Sequence, residues 1–190
     1  MARPQAPRGQ GRGRVLAAAL EMFALHGVSG TSLQMIADHL GVTKAAVYYQ
    51  FHAKEGIVLA VVEKAVDQLR GHVQAAEAAP TPHDATTLAL DGLIDTVLTH
   101  RQVVASVLSD PEVTRILDSH ADFNDVTTRL VTQLLGPEPS PRRVVAVPLL
   151  AAGIAHAGAD PHLGSVDDET LRAEMRHLGR VLIDASRSAP

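Results

Sequence analysis

Between residues 43 and 54 the chain sets out a hydroxyl, two ammonium groups, two phenols and a primary amide: Thr43, Lys44, Tyr48, Tyr49, Gln50 and Lys54. These side chains are hydrogen-bond donors, not a nucleophile with its base. Cations and hydroxyls hold phosphate oxygens, and a phenol can donate to phosphate or pack on a thymine methyl. Lys44 and Tyr48 are four apart, as are Ala45 and Tyr49, so on a helix each pair shares a face. Val47 and Phe51 form a third such pair, which being apolar should face inward. The small Ala45 and Ala46 would let the backbone sit deep in a major groove. Thr43, Gln50 and Lys54 lie near the helix ends, where phosphate contacts are natural, and Thr31 and Ser32 hold the same position at the start of the preceding helix.

Other chemistries lack their residues. With no cysteine, disulfides, zinc fingers and thiol nucleophiles are excluded. No Gly-x-Ser-x-Gly elbow or phosphate loop occurs. The ten histidines include no i, i+4 pair and no His-Glu-x-x-His run, which suits scattered surface residues better than a metal site. The adjacent carboxylates Asp167 and Asp168 open a predicted helix, where capping accounts for them. The sequence therefore predicts no catalytic residues, no metal and no cofactor.

The donor cluster needs a scaffold, and the apolar periodicity supplies one. A first helix is predicted over residues 12–25, with Val15, Leu16, Ala19, Leu20 and Phe23 as its stripe and Gly27 as its stop. Thr31 to Gln34 reads as a capping box, with Thr31 at the N-cap. A second helix follows, with Leu33, Ile36, Ala37 and Leu40 inward. Gly41 makes a turn, Thr43 caps a third helix over 44–50, and the last two form a helix-turn-helix. Six more helices are predicted: 54–76, 84–99, 101–108, 110–135 with a break near His120, 140–158, and 167–186. The pairs Asp110-Pro111 and Ser140-Pro141 are start signals, a cap followed by proline at the first helical position. No strand pattern or internal repeat is present. The fold class is all-α, with about nine helices.

The net charge of −4 argues against nucleic acid, but its distribution argues for it. Residues 1–57 carry six basic and three acidic groups, a net of +3, and residues 58–190 a net of −7. Four of the five aromatics, Phe23, Tyr48, Tyr49 and Phe51, fall in the first 51 residues. A small basic head on an acidic body is expected when one end meets phosphate. The domain reading is a disordered basic arm (1–11), a DNA-binding domain (12–55) and a helical ligand-binding and dimerisation domain (56–190). The arm's Arg3 and Arg8, with Arg12 and Arg14, could add phosphate or minor-groove contacts, or serve solubility alone. The basic start resembles a signal-peptide n-region, but Glu21 interrupts the apolar run too early. The uncharged run 144–159 falls short of a membrane span. The expectation is a cytoplasmic protein.

Residues 14–57 resemble the N-terminal domain of the tetracycline-repressor (TetR) family of bacterial transcription regulators. Ala18 and Ala19, Phe23, Gly27, Thr31, Ile36-Ala37, Gly41-Val42-Thr43, Val47-Tyr48, Phe51 and Lys54-Glu55 carry the resemblance, over about a quarter of the chain. It implies an all-helical homodimer with a ligand pocket among the middle helices and dimerisation through the last two. It implies DNA contact by Thr43, Lys44, Ala45, Tyr48, Tyr49 and Lys54. The chain departs from the family at Gln50, where histidine is common, and at Ala45, where glycine is common.

In the body, the eighth predicted helix (140–158) is rich in alanine and glycine and the ninth (167–186) has a Leu/Met stripe. Two copies of this pair would make a four-helix bundle between subunits, or each could close its own core. With Phe123 the last aromatic, an aliphatic cavity is expected for a small-molecule effector. Candidate contacts are Asp91, Asp95, His120, Phe123, Asn124 and Thr127, although a solvated face or a helix cap accounts for such residues more readily. The sequence thus predicts a ligand-responsive regulator, a repressor by preference, binding a palindromic operator as a homodimer through helices eight and nine and released by a mostly apolar molecule. The competing reading is a ligand-binding or protein-interaction module whose head no longer binds DNA.

Overall fold

The computed structural model describes residues 10–187, and among them there is no strand. Ten α-helices follow one another: α1 (Gln10–Gly30), α2 (Leu33–Leu40), α3 (Lys44–Gln50), α4 (Lys54–Glu77), α5 (Pro82–Thr99), α6 (Arg101–Ser109), α7 (Pro111–Asp118), α8 (Ala121–Leu135), α9 (Pro141–Ala159) and α10 (Asp168–Ala185). A short 3-10 turn, Pro161–Ser165, precedes the last. The two helices predicted to close the chain are α9 and α10. The segment predicted over 110–135 with a break near His120 is two helices, α7 and α8, parted between Asp118 and Ala121. The arm lies outside the described residues except for Gln10 and Gly11, which open α1.

The chain forms two compact units. Among the described residues the first comprises 10–63 and 106–117, the second 64–105 and 118–187. The first is therefore larger than the 12–55 segment, because it takes in the start of α4 and a stretch from the middle of the chain. In it, α1, α2 and α3 pack on one another over Ala19, Ile36, Ala37 and Val47, all fully buried, with Phe23 and Phe51 beside them. Val113, Ile116 and Leu117, from the added stretch, are buried as well.

In the second unit α5 is the central helix, in contact with α8, α9 and α10. Its core is aliphatic: Val73, Leu90, Ile94, Val97, Val126, Leu134, Val147 and Ile154 among others. Part of the small-residue stripe of α9 serves this core. A β-carbon on Gly158 would lie 2.2 Å from Val97 Cγ1, so glycine is what lets α9 approach α5. Arg143 is buried in the same unit and is held by carbonyl oxygens. It donates to Leu134 O through Nε (2.9 Å) and Nη2 (2.6 Å), and to Ile183 O through Nη1 (3.3 Å). Both carbonyls lie in last helical turns, where the helix dipole favours a cation. Burial, together with the nearby Arg187, still pulls its pKa below the ordinary arginine value.

Candidate nucleic-acid interface

Local chemistry builds the helix-turn-helix. Gly41 ends α2 in the left-handed region (φ 64°), which a side chain would disfavour, and its amide bonds to the Ala37 and Asp38 carbonyls. Thr43 caps α3, its hydroxyl accepting from Ala46 N at 3.3 Å. Val47 and Phe51 then anchor α3 inward. What remains outward is Lys44, Ala45, Ala46, Tyr48 and Tyr49, all exposed, with Tyr49 at 81%. A phenol left that far in water has no packing role, and that is the strongest sign of a contact surface.

Neighbouring side chains brace this face. The His52 ring meets the Tyr48 ring edge-on at 5.0 Å between centroids. The Arg12 guanidinium sits 4.4 Å from the centre of the Phe51 ring. Gln50 is half-buried and adjoins Gly11. The part played by His52 and Arg12 is not readable from spacing, since each acts through an aromatic partner placed by the fold.

Two of the predicted DNA contacts are turned elsewhere. Ser32, not Thr31, caps α2: its hydroxyl accepts from Met35 N at 3.2 Å, and it is exposed. Thr31 is buried and donates to Gly27 O (2.7 Å) and Met22 O (3.2 Å), tying the turn back onto α1. The N-cap is thus displaced by one residue and no capping box forms, because the bend at Gly27 (φ 71°) turns Thr31 inward. Gln34 bonds Asp38 instead of closing the box. Lys54 directs its ammonium at Val28 O (2.8 Å) and Glu112 Oε2 (3.1 Å), within the first unit.

None of the six candidate ligand contacts lines either of two clefts of the second unit. Asp91 pairs with Arg176 Nε (2.7 Å) and lies near Arg180. Asp95 pairs with Arg172 and accepts from Gln68 (2.8 Å), with His72 at 3.4 Å. The Arg172 hydrogen bond outweighs burial and holds the Asp95 carboxyl below its ordinary pKa. Asn124 donates to Asp118 O and Thr127 to Phe123 O. His120 stands at the start of α8 without a capping hydrogen bond, and Phe123 is half-buried. Two clefts in the second unit, of about 350 and 360 Å³, are lined by other residues, the first near Pro80 and Pro82, the second near His83 and Arg187. Among the described residues no cluster could hold a metal ion, and no helix is long and apolar enough to cross a membrane.

Residues 15–61 match the family described as bacterial regulatory proteins, tetR family. The transcriptional activator FasR of Mycolicibacterium smegmatis is 27% identical over 80% of this chain and 72% of its own length. SrpR, a transcriptional regulator of Pseudomonas putida, is 45% identical over 51 residues, which is 27% of this chain and 24% of that protein. The crystal structure of NalD, the secondary repressor of the MexAB-OprM multidrug efflux pump of Pseudomonas aeruginosa, shares the fold. Its TM-score is 0.65 at 24% identity, covering 90% of this chain and 96% of NalD. A helix-turn-helix presenting a cation and two phenols, in a segment that matches this family, is the arrangement of a DNA-binding domain. Residues 15–61 are those of a tetR-family domain, and the chain shares the fold of solved regulators of that family.

Proposed function

We propose that this regulator binds a palindromic operator as a homodimer and releases it when a small, mostly apolar molecule enters the second unit. The DNA-contacting set is Lys44, Ala45, Tyr48 and Tyr49, with Ser32, Thr43 and Gln50 at the helix ends. The reading rests above all on the exposed α3 face, and there on Tyr49. A seven-residue helix reads few bases, so two copies on a palindrome would restore specificity.

Dimerisation is supported by the outer faces of α9 and α10. Val144, Val145 and Leu149 on α9, and Leu178, Val181 and Leu182 on α10, are large aliphatics in water, each at least 36% exposed. The two helices are in contact with each other, so the face is suited to a four-helix bundle with a second copy. For the effector, Phe123, Thr127 and His120 on or beside α8 remain candidate contacts. Asp91 and Asp95 are already neutralised by arginine and would have to exchange that partner. A cytoplasmic location follows from work on chromosomal DNA.

Repression requires only that the operator be covered. Activation is the second reading, favoured by the relative aligned along most of the chain, which is an activator by name. The test is binding to fragments upstream of its own gene at two salt concentrations against nonspecific competitor, then a reporter with and without the protein. Saturable binding that survives competitor, with reporter output rising on removal, supports a repressor. Output that falls on removal selects activation. Binding that does not exceed nonspecific DNA on any genomic fragment would leave the degenerate-head reading in its place.

A further inference from the structure

The Asp110-Pro111-Glu112 turn lies about sixty residues beyond α3 in sequence, yet it belongs to the same compact unit. Asp110 is a buried carboxylate, only 6% exposed. Its Oδ2 accepts from Ser29 N at 2.7 Å and its Oδ1 from Ser29 Oγ at 2.8 Å. Oδ1 also accepts from Glu112 N at 2.9 Å, which caps the start of α7. Burial pushes this carboxyl's pKa up, but the Ser29 and Glu112 hydrogen bonds overcome it, and the net displacement is downward.

Gly27 completes the contact. Its φ of 71° suits glycine, and a β-carbon there would lie 3.1 Å from Asp110 Oδ2. Glu112 extends it to the entry of α4, because Lys54 Nζ bridges Glu112 Oε2 (3.1 Å) and Val28 O (2.8 Å). The two carboxylates thus hold both ends of the helix-turn-helix: the α1–α2 turn before it, through Ser29 and Val28, and Lys54 just after it.

We infer that Asp110 and Glu112 are positioning residues for DNA binding, fixing the turn and Lys54 that bracket α2 and α3 without touching the DNA. This rests on the reading that the first unit binds an operator.

Acidic residues near DNA repel phosphate, so removing their charge without any positioning role should leave affinity unchanged or raise it. The inference predicts the opposite sign. Full-length protein is titrated onto a labelled operator duplex at several salt concentrations, with Asp110→Asn, Glu112→Gln and the charge control Glu21→Gln. We expect Asp110→Asn to bind about ten-fold more weakly and Glu112→Gln about three-fold. The slope of log K against log salt should stay that of the wild type, since no phosphate contact is removed, and Glu21→Gln should bind at least as tightly as the wild type. Wild-type-like or tighter binding by Asp110→Asn overturns the inference alone. Absence of specific binding by the wild type overturns the proposed function and this inference with it. Should Asp110→Asn lose helicity, Ser29→Ala carries the test. It removes one donor and no charge, and is expected to weaken binding about three-fold; unaltered binding counts against the inference equally.

Discussion

In the first unit the exposed helix face is cationic and aromatic, Lys44 with Tyr48 and Tyr49. In the second the exposed helix faces are aliphatic, Val144, Val145 and Leu149 with Leu178 and Val181, and many of the charges are paired. Asp91 meets Arg176, Asp95 meets Arg172, Glu77 meets Arg129 and Asp168 meets Arg101. A surface that must meet phosphate needs cations free of internal partners. A surface that meets another protein copy needs none. Net charge, −4 for the chain, is therefore a poor guide to DNA binding, because it sums a head of +3 with a body of −7.

If the two units divide their roles in this way, core substitutions in the second act on stability, and DNA binding suffers only as a consequence. The largest effect is expected at Arg143. Arg143→Ala leaves the Leu134 carbonyl without its two donors and opens a hole in a packed interior, at a cost of roughly 3 to 5 kcal/mol. Thermal unfolding measured by far-UV dichroism checks this, and a melting curve like that of the wild type would refute the capping role. Gly158→Ala comes next, because its new methyl meets Val97. Overpacking should cost about 1 to 3 kcal/mol, read by the same melt.

The parts of this design legible in sequence are those carried by short-range rules. The bounds of α3 are as predicted, since Thr43 caps it and Val47 and Phe51 anchor it within one turn of each other. The Asp110-Pro111 start is visible for the same reason. What Asp110 holds is not, because Ser29 lies 81 positions away and nothing in either residue's neighbourhood names the other. Thr31 and Ser32 are both good caps, and the choice between them is made by Gly27, whose bend exists only in three dimensions. The candidate ligand carboxylates mislead for a related reason. Asp91 and Asp95 share a helix face, but the arginines opposite them are about eighty residues further on.

Single cations, one in each unit, test where the electrostatic footprint lies. Lys44→Ala should weaken operator binding by about 1 kcal/mol and reduce the salt slope by about 0.9 if it meets one phosphate. Arg180→Ala, an exposed cation of the second unit near Asp91, should leave both affinity and slope unaltered. An equal drop in the two variants would mean that the footprint is spread over the whole chain and not confined to the first unit.

The smallest expected effect is on acid stability, and it separates the units by probe. Asp110 in the first and Asp95 in the second both titrate below the ordinary aspartate value when folded. A carboxylate with a lowered folded pKa adds stability above its unfolded pKa, and that stability drains away as pH falls through the folded one. Both units should therefore weaken below about pH 4, and not near neutrality. The only two tyrosines, Tyr48 and Tyr49, lie in the first unit and there is no tryptophan, so tyrosine fluorescence reports that unit separately from the helical signal of the whole. Asp110→Asn should flatten the acid transition seen by fluorescence and leave the dichroism transition nearly in place, because Asp95 still titrates against Arg172 in the second unit. If both transitions moved together, the two units would unfold as one cooperative body, and the division of labour between an aromatic reading face and a charge-paired body would not extend to their stability.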